Sequence, residues 1–148
     1  MYSMVMGNYI FGSRITGIND MPINDKLFIL QSDIIKSAAD KGPCVIIGRC
    51  GDYILREYDN VFRVFIHANK EARIKRILSK GLCDEKKVSD FITKRDKQRA
   101  NYYNFYSNKR WDDLSNYHLT IDSSEFDIDE VAEIIITAIG KIKPPAKK

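Results

Sequence analysis

"VFRVFIHANKEARIKRIL", residues 61–78, joins an apolar run rich in β-branched residues directly to a polar segment with helical periodicity. Residues 61–67 predict a buried strand. Asn69 has a side chain suited to a helix N-cap, and apolar residues then recur at helical spacing until Gly81 stops the helix. A strand followed by a helix in this way is the repeating unit of a layered α/β fold.

The same alternation continues on both sides of this stretch. "CVIIG", residues 44–48, is typical of a strand buried on both faces of a parallel sheet. Asp127 and Glu130 have the spacing of a capping box before the last apolar segment. In chain order we predict a helix from Asn24 to Gly42, strand 44–48, a short helix within 52–58, strand 61–67, a helix from Asn69 to Gly81, a long helix at about 84–106, strand 117–122 and a final helix at 127–139.

Length and composition restrict the class of protein. The 148 residues fit one domain, and 44% hydrophobic with 30% charged residues is typical of a folded chain. No apolar run could span a bilayer and the N-terminus lacks a signal-peptide pattern, so we expect a cytoplasmic protein without a membrane partner. Three cysteines and two histidines without ligand spacing argue against a zinc site or a disulfide framework.

One face of the long helix changes character along its length. Continuing at i+3 and i+4 from Ile92 brings Arg95 and then Arg99 onto the side that faces the protein. Because an isolated buried charge is very costly, inward-pointing arginines predict a cavity that holds anions or carboxylates. The alternative is that both arginines extend from a solvated face or pair with Asp96 and neighbouring acids.

A second pair of arginines lies just after a predicted strand. Arg73 and Arg76 are one turn apart at the start of the helix that follows strand 61–67. In open α/β sheets, ligands bind beyond the carboxyl ends of the strands. Guanidinium groups suit phosphate oxygens because they donate in a planar fork, so the two pairs favour a phosphate pocket.

The segment "IIGRCGDYIL", residues 46–55, adds a third candidate element. Its two glycines allow a tight turn and close backbone approach at the end of the predicted strand, and Arg49 and Asp52 project there. The alternative is an ordinary strand-to-helix turn in which Arg49 binds Asp52 or a carbonyl oxygen.

Four stretches together resemble the cytidylate kinase-like family, which are nucleoside monophosphate kinases of the P-loop NTPase fold. They are "VIIGRCGDYIL" (45–55), "FIHANKEARIKRI" (65–77), "TKRDKQRANYYNFY" (93–106) and "LTIDSSEFDIDEVAEII" (119–135). The resemblance covers most of residues 24–140 and implies a three-layer fold, a parallel sheet flanked by helices. We therefore expect one incomplete kinase-like domain over 1–140, a helical lid at about 84–106 and a basic disordered tail at 141–148.

The resemblance also implies a transferase reaction, in which ATP with Mg²⁺ phosphorylates CMP or a related monophosphate. It implies three pairs of site residues: Arg49 and Asp52 for the substrate, Arg73 and Arg76 for ATP, and Arg95 and Arg99 for the transferring phosphoryl group. Such a reaction needs positioning and positive charge more than covalent help from the protein. Asp96 is expected to orient its arginine neighbours, and the tyrosines of 102–106 to pack beneath the lid.

The family's ATP-phosphate loop has no clear counterpart in these residues. G-x-x-x-x-G-K-[ST] is absent, and the nearest string, "GNYIFGSR" at 7–14, has Ser13 and Arg14 in the last two positions. We expect the resemblance to begin after the family's first strand, P-loop and first helix. Strands 44–48 and 61–66 would then have to pair with each other, with residues 1–23 or with a second copy of the chain.

Three functions are compatible with these patterns. The first is a phosphotransferase whose activity is impaired by the missing ATP-phosphate loop. The alternative is a non-catalytic nucleotide-binding or assembly protein derived from the same family. Nucleic-acid binding through the basic, tyrosine-rich helix is disfavoured, because its arginines interrupt an apolar face and do not form a separate exposed stripe.

Overall fold

The structure, a computed structural model, describes residues 21–142 in two compact units, one ending at Val45 and the other starting at Ile46. The first unit contains helix α1 (Ile23–Lys41). The second contains α2 (Gly51–Ile54), β1 (Val64–His67), α3 (Lys70–Ser79), α4 (Val88–Ser107), β2 (Leu119–Asp122) and α5 (Ile128–Lys141), with 3₁₀ turns at Glu85–Lys87 and Leu114–Asn116. The string at 7–14, almost all of segment 1–23 and residues 143–148 of the predicted tail lie outside the described residues.

The N-cap of helix α1 lies two residues earlier than the predicted cap, Asn24. Its N-cap is Pro22, whose carbonyl oxygen accepts from the backbone N–H groups of Asp25 and Lys26. Proline suits this position because the first N–H groups of a helix have no intrahelical partner. Phe28 and Ile35, seven residues apart on one face, are the buried residues of this helix.

The described sheet consists of β1 and β2, which pair in parallel. Val64 lies opposite Leu119 and His67 opposite Asp122. Beyond the last pair, the Ser123 N–H donates to the His67 carbonyl at 2.7 Å. Because a parallel pair needs a crossover connection, α3 and α4 occupy the chain between the two strands. The mixed architecture with a parallel sheet is therefore confirmed, and the three-layer arrangement stays a prediction.

The strand predicted at 44–48 is wrong for the described part of the chain. Residues 43–47 form neither helix nor strand, and the side chains of Val45 and Ile47 are 91% and 89% exposed. An apolar run becomes a buried strand only when a neighbouring strand pairs with it. Here β1 pairs with β2, and the run at 44–48 has no ladder in the described residues.

Two helices start at the capping residues that were predicted from the sequence. The Asn69 side chain accepts from the Ala72 N–H at 2.8 Å and starts α3. Asp127 and Glu130 form a complete capping box at the start of α5, with both bonds at 2.9 Å. Capping groups act within one turn, so they can be identified from sequence spacing.

Aromatic side chains pack together in the second unit. Phe65 of β1 is half-buried, and its ring centre lies 4.9 Å from that of Tyr117 and 5.4 Å from that of Trp111. The buried apolar residues of this unit are Cys50, Ile54, Leu55, Val88, Ile92, Tyr103, Tyr106, Ile121 and Val131. In the described part of the chain, no helix is long and apolar enough to cross a membrane. The predicted cytoplasmic location stays a prediction.

Candidate functional site

The loop that carries Arg49 has an unusual backbone. Gly48, Arg49 and Cys50 have consecutive φ angles of 67°, 56° and 56°, all in the left-handed region. Glycine adopts this region freely, but each residue with a Cβ costs roughly 1–2 kcal/mol there. The Gly51 N–H donates to the Gly48 carbonyl at 3.0 Å and closes the turn just before α2. The segment 48–52 is called the arginine loop below.

The arginine loop contacts two adjacent tyrosines of α4. The Tyr103 hydroxyl donates to Asp52 Oδ2 at 2.6 Å. The Arg49 guanidinium carbon lies 5.9 Å from the centre of the Tyr102 ring, within the range of a cation–π contact. Arg49 is exposed and Asp52 is half-buried. The structure therefore brings these two predicted site residues to the same part of α4, and their contacts are with tyrosines, not with each other.

Three side chains in or near the arginine loop have raised pKa values. Burial, with a smaller effect of the Asp52 charge, raises the pKa of the Cys50 thiol to about 12. The same two causes raise the pKa of Tyr117 to about 12. Burial and the hydrogen bond to Asp52 raise the pKa of Tyr103 well above its usual range. At neutral pH these groups stay protonated, so Tyr103 is a permanent donor to Asp52.

A second cluster joins α3 to α4. Arg73 binds the carboxylate of Asp96 in bidentate fashion, with Nη1–Oδ2 at 2.8 Å and Nη2–Oδ1 at 2.7 Å. Arg99 Nη1 also reaches Asp96 Oδ1, at 3.2 Å. Two guanidinium groups thus share one carboxylate, which leaves one net positive charge. Arg73, Asp96 and Arg99 are called the arginine–aspartate cluster below.

The buried face of α4 is interrupted at this cluster. Ile92 and Tyr106 are 4% and 7% exposed, yet Arg99, seven residues from each and so on the same face, has a side chain that is 60% exposed. The guanidinium of Arg95 lies 5.2 Å from the ring centre of Phe91, and Arg95 is exposed. The prediction that Arg95 and Arg99 point into the protein is therefore wrong, and the alternative, pairing with Asp96, describes Arg99.

Arg76 occupies the predicted position at the end of the sheet. Its Nη2 donates to the Ser123 carbonyl at 3.2 Å, and Ser123 follows directly after β2. Arg73, one turn earlier, turns instead toward α4. The six predicted residues thus divide between the arginine loop (Arg49 and Asp52), the arginine–aspartate cluster (Arg73 and Arg99) and two separate exposed positions (Arg76 and Arg95).

Sequence comparison identifies the family. The sequence model of the cytidylate kinase-like family matches residues 1–125. The chain belongs to this family. The match starts at residue 1, so it includes residues 1–23, which the four resembling stretches had left out. The resemblance stated from the sequence is confirmed.

Two curated relatives in this family carry the name cytidylate kinase. The one from Methanosarcina barkeri (strain Fusaro / DSM 804) is 31% identical over 106 residues, which cover 68% of this chain and 57% of the relative. The one from Methanoculleus marisnigri (strain ATCC 35101 / DSM 1498 / JR1) is 26% identical over 122 residues, covering 82% and 65%. The matched part of this chain thus spans less than two thirds of either relative.

A solved structure supports the fold. The crystal structure of an uncharacterized protein from Eubacterium ventriosum ATCC 27560 has a TM-score of 0.75 and 30% sequence identity to this chain. The similarity covers 84% of this chain and 79% of that one. The two chains therefore share a fold over most of their length.

Among residues 21–142, no group of three or more His, Cys, Asp or Glu side chains is placed to hold a metal ion. In kinase sites, Mg²⁺ is commonly held by substrate phosphates with one or two carboxylates. No residue of this chain is therefore assigned to Mg²⁺.

Tyr102 and Tyr103 contact the arginine loop, which the sequence did not reveal. They were expected to pack beneath the lid, and Tyr103 does pack, at 5% exposure. Its additional contact with Asp52 joins residues 51 positions apart in sequence. Packing of Tyr103 does predict some partner for its hydroxyl, because a buried tyrosine hydroxyl usually has a hydrogen-bond partner.

Proposed function

We propose that this chain binds a nucleoside monophosphate and supplies the arginines of a cytidylate kinase-like phosphotransferase, with ATP as donor and CMP as the first acceptor to test. The single observation that carries the proposal is the arginine–aspartate cluster at the interruption in the buried face of α4. Two guanidinium groups on one carboxylate leave a net positive charge. The planar guanidinium group suits phosphoryl oxygens because it donates two parallel hydrogen bonds to them.

The proposed roles follow the two clusters. Arg49, which is exposed in the arginine loop, binds the phosphate of the monophosphate substrate. Asp52 accepts a hydrogen bond from a polar group of the same substrate. Arg99 and Arg95 approach the transferring phosphoryl group from the lid. Asp96 binds both Arg73 and Arg99, so the guanidinium groups of these two residues are oriented before the substrate binds.

On the ATP side, Arg76 is the better supported of the two predicted residues. It lies at the carboxyl end of β2, where ligands of α/β sheets gather. Its guanidinium has five N–H donors, and the bond to the Ser123 carbonyl uses one nitrogen. Both terminal nitrogens of Arg73 bind Asp96, so Arg73 would influence ATP only through that carboxylate.

We propose further that these 148 residues alone transfer phosphate slowly. They contain no G-x-x-x-x-G-K-[ST], the loop whose amides and lysine hold ATP phosphates. The same observation favours the alternative function, a non-catalytic nucleotide-binding or assembly protein. In that case a second copy of the chain, which would also complete the sheet at β1, is the proposed partner.

Calorimetry with CMP, combined with a coupled ADP-release assay, tests the proposal. Wild-type protein should bind CMP, and Arg49→Ala should weaken binding by at least about tenfold through loss of a charge-assisted contact. Arg56→Ala is the matched control, because Arg56 is also exposed and contacts Tyr53, three residues earlier in the chain. Binding without turnover selects the non-catalytic alternative. If neither CMP nor another monophosphate binds, the phosphotransferase is rejected and only the assembly form of the alternative is left.

A further inference from the structure

We infer that Tyr103 is a positioning residue that fixes Asp52 and thereby holds the arginine loop in its binding conformation. The role of Asp52 in substrate binding is part of the proposed function, so this inference rests on that proposal. The holding of the loop itself is a property of the free protein and can be measured without any ligand.

The hydrogen bond between Tyr103 and Asp52 has the properties of a firm anchor. Tyr103 is 5% exposed, so water cannot readily replace Asp52 as the partner of its hydroxyl. The 2.6 Å distance is typical of a hydroxyl that donates to an ionised carboxylate, which is among the stronger hydrogen bonds in proteins. The bond uses Oδ2 and fixes the orientation of a half-buried carboxylate.

The arginine loop needs such an anchor because its backbone is strained. Arg49 and Cys50 both have left-handed φ angles, which residues with a Cβ rarely adopt. Strained conformations persist only where surrounding contacts over-determine them. Two adjacent residues of α4 provide such contacts here. Tyr103 donates a hydrogen bond to Asp52, and the Tyr102 ring makes a cation–π contact with Arg49.

The anchor also links the arginine loop to the arginines of the lid. Tyr103 lies one helical turn after Arg99, and Asp96 lies seven residues before Tyr103 on the same face. A rigid helix thus carries both the group that holds Asp52 and the carboxylate that holds Arg73. Movement of α4 would shift the substrate residues and the lid arginines together.

Cys50 provides a direct probe of this anchor. Its side chain is 3% exposed and lies between Arg49 and Asp52, so opening of the loop should expose the thiol. In a Cys44→Ser and Cys83→Ser background, we expect Tyr103→Phe to raise the rate of Cys50 alkylation by iodoacetamide on the order of tenfold. Tyr53→Phe is the matched control, since Tyr53 follows Asp52 in the chain and its hydroxyl makes no described hydrogen bond with that carboxylate.

Thermal unfolding of each variant separates local opening from global loss of structure. If Tyr103→Phe lowers Tm substantially, Asp52→Ala carries the test, because it removes the same bond at its half-buried partner. Faster alkylation in the variant that keeps its Tm, with the Tyr53→Phe rate unchanged, supports the inference. Alkylation at the wild-type rate in that variant overturns it.

CMP titration then tests whether the anchor matters for binding. We expect Tyr103→Phe to weaken CMP binding several-fold and to add nothing in the Asp52→Ala background, because Tyr103 acts through Asp52. Equal additional loss in that background would overturn the positioning role. If wild-type protein binds no CMP, the proposed function fails, and the alkylation rates alone decide whether Tyr103 holds the loop.

Discussion

Asp96 of α4 accepts two hydrogen bonds from Arg73 of α3, at 2.8 and 2.7 Å, and so ties together two helices that are separated along the chain by a 3₁₀ turn. Both side chains are 30% exposed, which places the pair between a solvated surface contact and a buried one. The pair is therefore expected to add stability as well as to orient Arg99.

Asp96→Asn should lower the free energy of unfolding by about 1–2 kcal/mol, since it removes the charge from a bidentate pair that is only partly screened by solvent. Urea denaturation followed by circular dichroism measures this change. Asp112→Asn is the matched control, because the Arg110–Asp112 pair is also bidentate but well exposed, and we expect no measurable loss there. Equal effects of the two substitutions would contradict a structural role for the Arg73–Asp96 pair.

Arg49→Gly should give a more stable protein than Arg49→Ala, by about 1 kcal/mol, although both lose the guanidinium group. The reason is the left-handed φ of 56° at this position, which glycine adopts without the steric penalty of a Cβ. Urea denaturation of the two variants measures the difference. An alanine variant that is as stable as the glycine variant would show that the backbone of the arginine loop is not strained in solution.

Acid should destabilise the protein through His118. Both ring nitrogens of His118 face N–H donors of Arg63, at 3.2 Å and 2.8 Å. The neutral ring can accept at one of them, but a second ring proton would place an N–H against an N–H donor on both sides. Burial and the Arg63 charge lower the pKa of His118 below its usual 6.5. The unfolded chain then binds the proton first, so stability that is present above about pH 6.5 is lost as pH falls through the lower folded pKa.

The test of this prediction is the slope of stability against pH. His118→Phe keeps the ring that stacks on Phe62 but cannot titrate. Its free energy of unfolding should fall less steeply than that of wild type between about pH 7 and pH 5. Above that range the two slopes should be the same, which serves as the internal control. A variant as acid-sensitive as wild type would exclude His118 as the cause.

The sequence predicted those parts of the fold that depend on local interactions. The cap at Asn69 and the capping box at Asp127 are contacts within one turn, and both were identified from spacing alone. The strand at 44–48 was wrong because strand formation depends on a pairing partner elsewhere in the chain. An apolar run by itself does not indicate whether such a partner strand is present.

The candidate site was predictable in residue type and less so in orientation. Arg73 and Arg99 were singled out for their helical spacing, and the structure does bring them together at Asp96. Helical periodicity gives the side of α4 on which Arg99 lies, but the exposure of that side depends on what packs there. The contact of Tyr103 with Asp52 depends on the path of the whole chain between them, which no local pattern encodes.

The relative affinities of CMP and cytidine test the central claim most directly, because the two ligands differ only in the phosphate that the arginines are proposed to bind. Calorimetry of the wild-type protein should show CMP bound at least about 100-fold more tightly than cytidine, as expected for two or more charge-assisted contacts. Arg49→Ala should reduce that ratio by about tenfold, while Arg56→Ala leaves it unchanged. Equal affinities of wild-type protein for CMP and cytidine would contradict the account.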